Sequence, residues 1–274
     1  MKRIHKIIAA VIAAVAAAIP YFYWENNSLT VSNYTYETQK AGKSLDGFKI
    51  VHISDLHNKR FGRKNSRLIK LIREQSPDII VISGDIADSR HTDIAAAVEF
   101  VSEASEVAPV YYTTGNHEHR FSSEKFDRLI SGIRSAGGTV LLDETAVIER
   151  GDEKLYITGL ADSSLHLGRL DGIMPKAPDC LSLLISHQPQ FIDFYTESGA
   201  DITFCGHAHG GQFRIPGIGG FIAPGQGFFP KYTEGMHRRG DKAVVISRGL
   251  GSSVIPSRIN NRPEVVVVTI KSAQ

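Results

Sequence analysis

The amino-acid sequence predicts an α/β fold that follows an apolar N-terminal segment. Three times in succession, beginning near residues 47, 78 and 109, a short apolar strand leads into a polar turn and then an amphipathic helix. This alternation is typical of parallel strands that are covered by helices. From residue 139 onward, short strands separated by tight turns replace the pattern. No internal repeat or second domain boundary interrupts it, so we expect one domain over residues 26–274.

Composition excludes several classes of protein. The chain has 274 residues, a formal net charge of +2, 22% charged residues and 42% hydrophobic residues, which is ordinary for a globular protein. It contains no basic run with interleaved aromatics, so we expect no nucleic-acid partner. Its two cysteines, Cys180 and Cys205, are too few for a disulfide framework. Histidine is the outlier, with 11 residues.

The individual elements follow from hydrophobic periodicity and from turn residues. We expect helices at 66–74, 93–106, 122–136 and 189–198. We expect strands at 29–38, 47–54, 78–82, 109–113, 139–142, 146–149, 154–158, 181–185, 201–205, 243–247 and 265–270. Residues 211–237 are rich in glycine, proline and aromatics, and they predict a long loop of the kind that is usually functional.

The N-terminal segment, residues 1–25, predicts a membrane anchor. Lys2, Arg3 and Lys6 precede an uncharged run from 7 to 24, which is 18 residues long and ends in an aromatic cluster with Trp24. That length is at the lower limit for crossing a bilayer, and the aromatics fit its interface. The alternative is a cleaved signal peptide, with cleavage near residues 16–18. An anchor with basic residues on its N-terminal side predicts a single-pass cell-membrane protein whose domain lies outside the cytoplasm.

Five predicted strands end in short polar clusters at the edge where α/β folds collect ligands. A histidine after one strand is usually an ordinary hydrogen-bonded residue, but five such clusters in one chain favour a shared site. Carboxylates, imidazoles and an amide oxygen are ligands for divalent manganese, iron or zinc, and the absence of cysteine argues against structural zinc. The expected ligands are Asp55, His57, Asp85, Asn116, His187, His207 and His209.

Asp85 directly follows a strand and a glycine, so its two carboxylate oxygens are placed to bridge two cations. A carboxylate-bridged pair of ions about 3.5–4 Å apart suits in-line displacement at phosphorus. One ion lowers the pKa of a bound water to yield hydroxide, and both neutralise charge on the phosphoryl oxygens. The sequence therefore predicts a hydrolase of phosphate esters or pyrophosphates that uses two divalent metal ions.

The ordered motifs D-x-H, G-D-x-x-D, G-N-H-E, H and G-H-x-H begin at Asp55, Gly84, Gly115, His187 and Gly206. This series resembles the calcineurin-like metallophosphoesterases and spans roughly residues 47–270. The resemblance implies a four-layer αββα sandwich, in which two mixed sheets are flanked by helices.

The resemblance also implies a role for each site residue. His117 would either protonate the leaving oxygen as general acid or steady the phosphoryl group, and Asp88 would orient it through a carboxylate–imidazole hydrogen bond. Asn116 and His117 would also contact substrate, and we expect His119 at the rim of the site. One ion would take Asp55, His57, Asp85 and His209, and the other would take Asp85, Asn116, His187 and His207.

The end of the chain resembles a bacterial membrane-associated branch that includes enzymes of UDP-2,3-diacylglucosamine hydrolysis. We therefore expect a lipid-linked or membrane-proximal phosphoester substrate, and Phe221, Phe228, Phe229 and Tyr232 either meet acyl chains or pack locally. A UDP-sugar is made in the cytoplasm, which conflicts with a domain outside it, so envelope phospholipids or wall-polymer phosphates are alternatives. The alternative function is a metal-binding scaffold of the same fold with little or no turnover.

Overall fold

Two six-stranded sheets packed face to face form the centre of the computed structural model, which describes residues 2–165 and 172–273. The helices are α1 Lys2–Asn27, α2 Ser66–Glu74, α3 Ile94–Ser105, α4 Ser123–Ser135, α5 Asp162–Leu165 and α6 Ile192–Glu197. The strands of the first half are β1 Thr30–Thr38, β2 Lys49–Ile53, β3 Ile79–Ile82, β4 Val110–Tyr112, β5 Gly138–Val140, β6 Glu144–Arg150 and β7 Glu153–Gly159. The later strands are β8 Leu181–Ile185, β9 Ile202–Cys205, β10 Arg214–Ile215, β11 Gly219–Gly220, β12 Ile222–Ala223, β13 Gly227–Phe228, β14 Gly235–Arg239, β15 Lys242–Ile246 and β16 Glu264–Ser272.

The first sheet has the strand order β1-β16-β2-β3-β4-β5. Strands β2, β3 and β4 are parallel neighbours, and Ile82 pairs with Ile53 on one side and Tyr112 on the other. Only the β16–β2 pair is antiparallel in this sheet. The turns that follow β2, β3 and β4 therefore emerge side by side at one edge.

The second sheet has the order β14-β15-β9-β8-β7-β6. Its four inner strands are parallel, with Phe204 of β9 paired to Ile185 of β8, while the two edge strands are antiparallel. The turns after β8 and β9 consequently emerge together, as those of the first sheet do.

Three apolar clusters separate the layers. One lies between the sheets and includes Ile50, Val81 and Phe204. A second, with Ile72 and Phe100, packs α2, α3 and α4 on the outer face of the first sheet. The third packs α6 against the second sheet. Helix, sheet, sheet and helix make the predicted four-layer sandwich of two mixed sheets, which is confirmed.

Helix α1 has a stretch, Arg3–Asn27, that is long and apolar enough to cross a membrane by length and composition. Pro20 lies inside the helix without ending it. The helix ends at Asn27, two residues beyond the expected boundary of the anchor, and its last turn buries the side chain of Glu25 against the domain.

The structure adds elements that periodicity did not predict. The expected loop at 211–237 contains two small antiparallel hairpins, β10–β11 and β12–β13, and the beginning of edge strand β14. These strands are mostly two residues long and include glycines, so they carry no alternating apolar pattern. Helix α5 is a single short turn and was missed for the same reason.

Candidate metal centre

The turns of both sheets meet at one edge and bring the predicted ligands together. The first sheet supplies Asp55 and His57 after β2, Asp85 after β3 and Asn116 after β4. The second sheet supplies His187 after β8, and His207 and His209 after β9. All of these side chains except Asn116 are buried. A hydrogen bond from the His207 N–H to the Asp55 carboxylate, 3.0 Å to each oxygen, joins the two sheets here.

One group of donors consists of Asp55, His57 and His209, whose ligand atoms lie within 4.8 Å of one another. Asp55 Oδ1 is 4.0 Å from His57 Nε2 and 3.7 Å from His209 Nε2. The two imidazole rings stack with centroids 5.1 Å apart. Both Nε2 atoms therefore face the same carboxylate oxygen.

A second group consists of Asp85, His187 and His207. His187 Nε2 lies 3.2 Å from Asp85 Oδ2 and 3.2 Å from His207 Nδ1. The other nitrogen, His187 Nδ1, lies 2.7 Å from the carbonyl oxygen of Ser83, to which it donates. This bond fixes the ring and leaves Nε2 available as a ligand, as backbone carbonyls do for metal-binding histidines.

Asp85 lies between the two groups. Its Oδ2 is 3.6 Å from His57 Nε2 in the first group, in addition to the contact with His187 in the second. Its Oδ1 accepts the His117 N–H at 2.8 Å, which fixes the orientation of the carboxylate. Asp85 is thus within contact distance of both donor groups.

The electrostatics of the centre favour bound cations. Burial alone would raise the pKa of the Asp85 carboxyl, but His187 and His57 lower it well below its usual range. Burial would lower the pKa of His187, yet Asp85 outweighs it and raises that pKa to about 10. Burial lowers the pKa of His207 to about 4 and that of His209 to about 3, so both imidazoles are neutral at pH 7. Metal ions would favour the ionised form of these buried carboxylates in the same direction as the protonated imidazoles do.

Unpaired buried atoms test whether the donor set fits a metal. Among the described residues, Nε2 of His57 and Oδ1 of Asn116 are buried atoms without a hydrogen-bond partner. Such atoms are costly in a folded protein unless something else satisfies them. Together with oxygen and imidazole donors and no cysteine, they fit divalent ions of the manganese, iron and zinc type.

His117 and Asp88 lie beside this centre. Asp88 Oδ2 is 3.4 Å from Nδ1 of both His117 and His57, so the carboxylate serves two imidazoles and not His117 alone. The Ser89 N–H donates to His117 Nδ1 at 3.1 Å. An accepting Nδ1 leaves the proton of neutral His117 on Nε2, which lies 3.1 Å from Ser253 Oγ.

His119 is not brought to the centre, so its expected place at the rim is corrected. It lies in a short turn, Glu118–Arg120, which directs its exposed side chain into a different cavity with Phe126 and Leu142. The preceding Glu118 points inward instead. Helical geometry in this turn sends neighbouring side chains to different faces, and the motif alone does not reveal this.

Sequence reasoning assigned no role to Glu118, Ser89 or Ser253. The buried carboxylate of Glu118 accepts backbone N–H groups of Asp85 at 2.9 Å, Ala87 at 3.1 Å and Gly115 at 2.8 Å. It therefore joins the turn after β3 to the turn after β4. Its place in the G-N-H-E motif was a usable signal, whereas Ser253 lies 136 residues from its partner His117 and had none.

A cavity of about 490 Å³ opens over the centre. Asp85, Asn116, His117, His207 and His209 line it at the site. Arg90 and Arg120 also line the cavity, and so do apolar residues including Ile222, Ala223, Pro224, Val254 and Ile255. The cavity thus combines cationic groups, candidate ligands and an apolar wall.

Comparison with known proteins agrees with this geometry. The family model described as calcineurin-like phosphoesterase matches residues 48–211. The phosphodiesterase YaeI of Escherichia coli K12 is 30% identical over 226 residues, which cover 81% of this chain and 82% of that protein. The uncharacterized metallophosphoesterase YkuE of Bacillus subtilis is 30% identical over 257 residues, covering 91% and 88%.

Two further likenesses are more distant. A transmembrane protein with metallophosphoesterase domain from Danio rerio is 26% identical and covers 86% of this chain and 56% of that protein. The sulfate thiohydrolase SoxB of Thermus thermophilus aligns with a TM-score of 0.51 and 13% identity, over 82% of this chain and 57% of that chain. The latter likeness concerns the fold alone. From the family match, the relatives and the site, the chain belongs to the calcineurin-like phosphoesterases and is a metal-dependent phosphoester hydrolase.

Proposed function

We propose that this chain uses two divalent ions to hydrolyse a phosphate ester or pyrophosphate bond of a lipid-linked or membrane-proximal substrate. The observation that carries the two-ion proposal is the place of Asp85 between the two donor groups, 3.6 Å from His57 and 3.2 Å from His187. The first ion would be held by Asp55, His57, Asp85 and His209. The second would be held by Asp85, Asn116, His187 and His207.

Two such ions would supply an activated water and positive charge for the phosphoryl oxygens. The residues of the chain then hold and move the leaving-group proton. To act as general acid, His117 would carry protons on both ring nitrogens: it would give the Nε2 proton to a leaving oxygen in the cavity and keep the Nδ1 proton toward Asp88 Oδ2, 3.4 Å away. Asp88 would hold the ring in place and stabilise its protonated form. Arg90 and Arg120 add charge that would orient an anionic substrate.

The apolar wall of the cavity supports a lipid-linked substrate. Val254 on this wall is 64% exposed, and the neighbouring hairpin presents Phe228 and Phe229 at 67% and 59%. Exposed apolar clusters of this kind are typical of membrane or ligand contacts. The wall residues Ser253, Val254 and Ile255 belong to the loop whose far end, at Arg258, is hydrogen-bonded to Asn26 of α1.

The basic residues before α1 favour a single-pass anchor with the domain outside the cytoplasm. In that orientation, envelope phospholipids or wall-polymer phosphates are the substrates within reach. A UDP-2,3-diacylglucosamine-type substrate requires a domain on the cytoplasmic side. Reaction of an engineered cysteine on the domain surface with an impermeant reagent, in intact cells, distinguishes the two orientations.

The hydrolytic proposal is tested with the full chain in detergent, stripped of metal and then given Mn²⁺, Zn²⁺ or Fe²⁺. Turnover of an aryl phosphate monoester and an aryl phosphodiester is compared for the wild type, Asp85→Asn and His117→Ala. We expect metal-dependent turnover that both substitutions abolish or greatly reduce. Binding of two ions without turnover of any ester would favour the scaffold alternative.

The lipid proposal has a separate test. The double variant Phe228→Ser/Phe229→Ser is assayed on a phospholipid presented in vesicles and on the soluble aryl ester. We expect loss of activity on the vesicles only. If the double variant keeps wild-type activity on the vesicles as well as on the soluble ester, a role for this apolar hairpin is contradicted.

A further inference from the structure

The last turn of α1 is bonded into the loop that supports the metal centre. The Glu25 carboxylate, 3% exposed, accepts the backbone N–H of Asn261 at 2.5 Å. The Asn26 side chain makes two hydrogen bonds to the backbone of Arg258. Its Oδ1 accepts the Arg258 N–H at 2.8 Å, and its amide N–H donates to the Arg258 carbonyl at 3.3 Å. The anchor is therefore joined to residues 258–261 by three hydrogen bonds from two consecutive residues.

The same loop supports the turn that contains His209. Asn261 is fully buried, and its side-chain amide donates to the carbonyl of His209 at 2.7 Å and to that of Gln212 at 3.1 Å. Arg258, also fully buried, places Nη2 3.4 Å from His209 Nδ1. Both ends of the turn and the outer side of the His209 ring are thus in contact with this loop.

The turn needs such support because its backbone is strained. His209, Gly210, Gly211 and Gln212 all have positive φ, at 47°, 64°, 76° and 58°. Non-glycine residues persist in this region only where their surroundings hold them there. Asn261 supplies those contacts, and Glu25 in turn fixes the backbone of Asn261.

The domain also binds the carbonyl end of α1 with basic side chains. Lys59, two residues after His57, donates from Nζ to the Asn26 carbonyl, and Arg67 donates to the Asn27 carbonyl at 3.0 Å. Arg262 lies over the Trp24 ring at 5.0 Å. Basic groups at a helix C-terminus are favourable. The last turn of α1 is therefore bonded to the turn after β2, through Lys59, and to residues 258–261.

We propose that Glu25, at the membrane-proximal end of the anchor, is a positioning residue of the metal centre and acts on His209 through Asn261. This inference rests on the proposed role of His209 as a metal ligand. It makes the anchor a component of the site and not only a tether. Cleavage of a signal peptide near residues 16–18 would leave Glu25 in place, whereas a truncation after residue 27 would remove it.

The test compares Mn²⁺ binding to the full chain in detergent for the wild type, Glu25→Met and Glu25→Gln. Methionine keeps the volume of the side chain but cannot accept the Asn261 N–H, whereas the glutamine oxygen can. We expect Glu25→Met to weaken the binding of one of the two ions by about tenfold, the low end of the range for groups that hydrogen-bond a ligand directly, because Glu25 acts through Asn261. The electron paramagnetic resonance spectrum at limiting Mn²⁺ should change from a coupled pair to single ions. KM for an aryl phosphodiester should stay constant while kcat falls.

Asn27→Ala is the matched control, since among residues 2–165 and 172–273 the Asn27 amide donates only to the Tyr23 carbonyl of the same helix. It should bind Mn²⁺ like the wild type, and so should Glu25→Gln. If Glu25→Met is not obtained folded, Asn26→Ala removes the paired bonds to Arg258 and is expected to weaken the same ion. Wild-type affinity in the folded variants that lack these bonds would overturn the inference. A wild type that does not bind two ions would instead refute the proposed function.

Discussion

Gly84, between β3 and Asp85, should be intolerant of a side chain for two independent reasons. Its φ of +94° lies in a region that L-residues rarely adopt. A Cβ at this position would lie 2.3 Å from the backbone nitrogen and 2.6 Å from Cα of Gly115, in the turn after β4. Gly84→Ala therefore has to push apart the two turns that carry Asp85 and Asn116.

The expected loss of stability is the sum of a backbone-conformation cost and an overpacking cost. A left-handed conformation costs an alanine about 1–2 kcal/mol. Overpacking against atoms that cannot rotate away costs about 1–3 kcal/mol more. We expect the free energy of unfolding of Gly84→Ala to fall by about 2–5 kcal/mol in total. Metal affinity should fall as well, because the ligands on the two turns move apart.

Gly47→Ala is the control, because Gly47 has a φ of +79° but no atom within 4 Å of its added Cβ. It should lose only the conformational term, about 1–2 kcal/mol, and bind metal normally. Urea denaturation of the metal-free chains and Mn²⁺ titration measure both effects. If Gly84→Ala and Gly47→Ala lose the same free energy of unfolding and both bind metal normally, the proposed clash with Gly115 is refuted.

Three further predictions concern the centre itself. Asp88→Asn should weaken both Mn²⁺ affinity and turnover by about 10–100-fold, because the carboxylate contacts His57 as well as His117; unchanged affinity would contradict that contact. Asp85 raises the pKa of His187 to about 10 against the effect of burial. Metal uptake at pH 7 should therefore release a proton from His187, and Mn²⁺ affinity should rise from pH 6 to pH 9. Calorimetry in buffers of different ionisation enthalpy can detect the released proton. Mn²⁺ at 100 times its Kd should raise the free energy of unfolding by about 2.7 kcal/mol per site, and Asp85→Asn should lose most of that gain in urea denaturation.

The sequence predicted the layers and the composition of the centre because both depend on local patterns. Parallel strands with apolar residues and polar ends place their turns at one edge, and five such turns carry the ligands Asp55 to His209. What it could not predict depends on contacts distant in the chain. Glu25 and Asn261 are 236 residues apart, and neither has a local pattern that indicates a partner.

The placement of His119 was missed for a different reason. It lies two residues after His117, close enough in sequence to expect the same site. The short turn Glu118–Arg120 rotates successive side chains away from one another, so Glu118 points under the centre and His119 into a neighbouring cavity. The small hairpins at 214–228 escaped because backbone pairing and not side-chain alternation defines them.

The most direct test of the two-ion centre is a crystal structure of the full chain with Mn²⁺, using anomalous scattering to locate the ions. We expect two peaks about 3.5–4 Å apart, one between Asp55 and His209 and one between His187 and His207, with the Asp85 carboxylate contacting both. A single peak, or two peaks that Asp85 does not share, would contradict the two-ion centre.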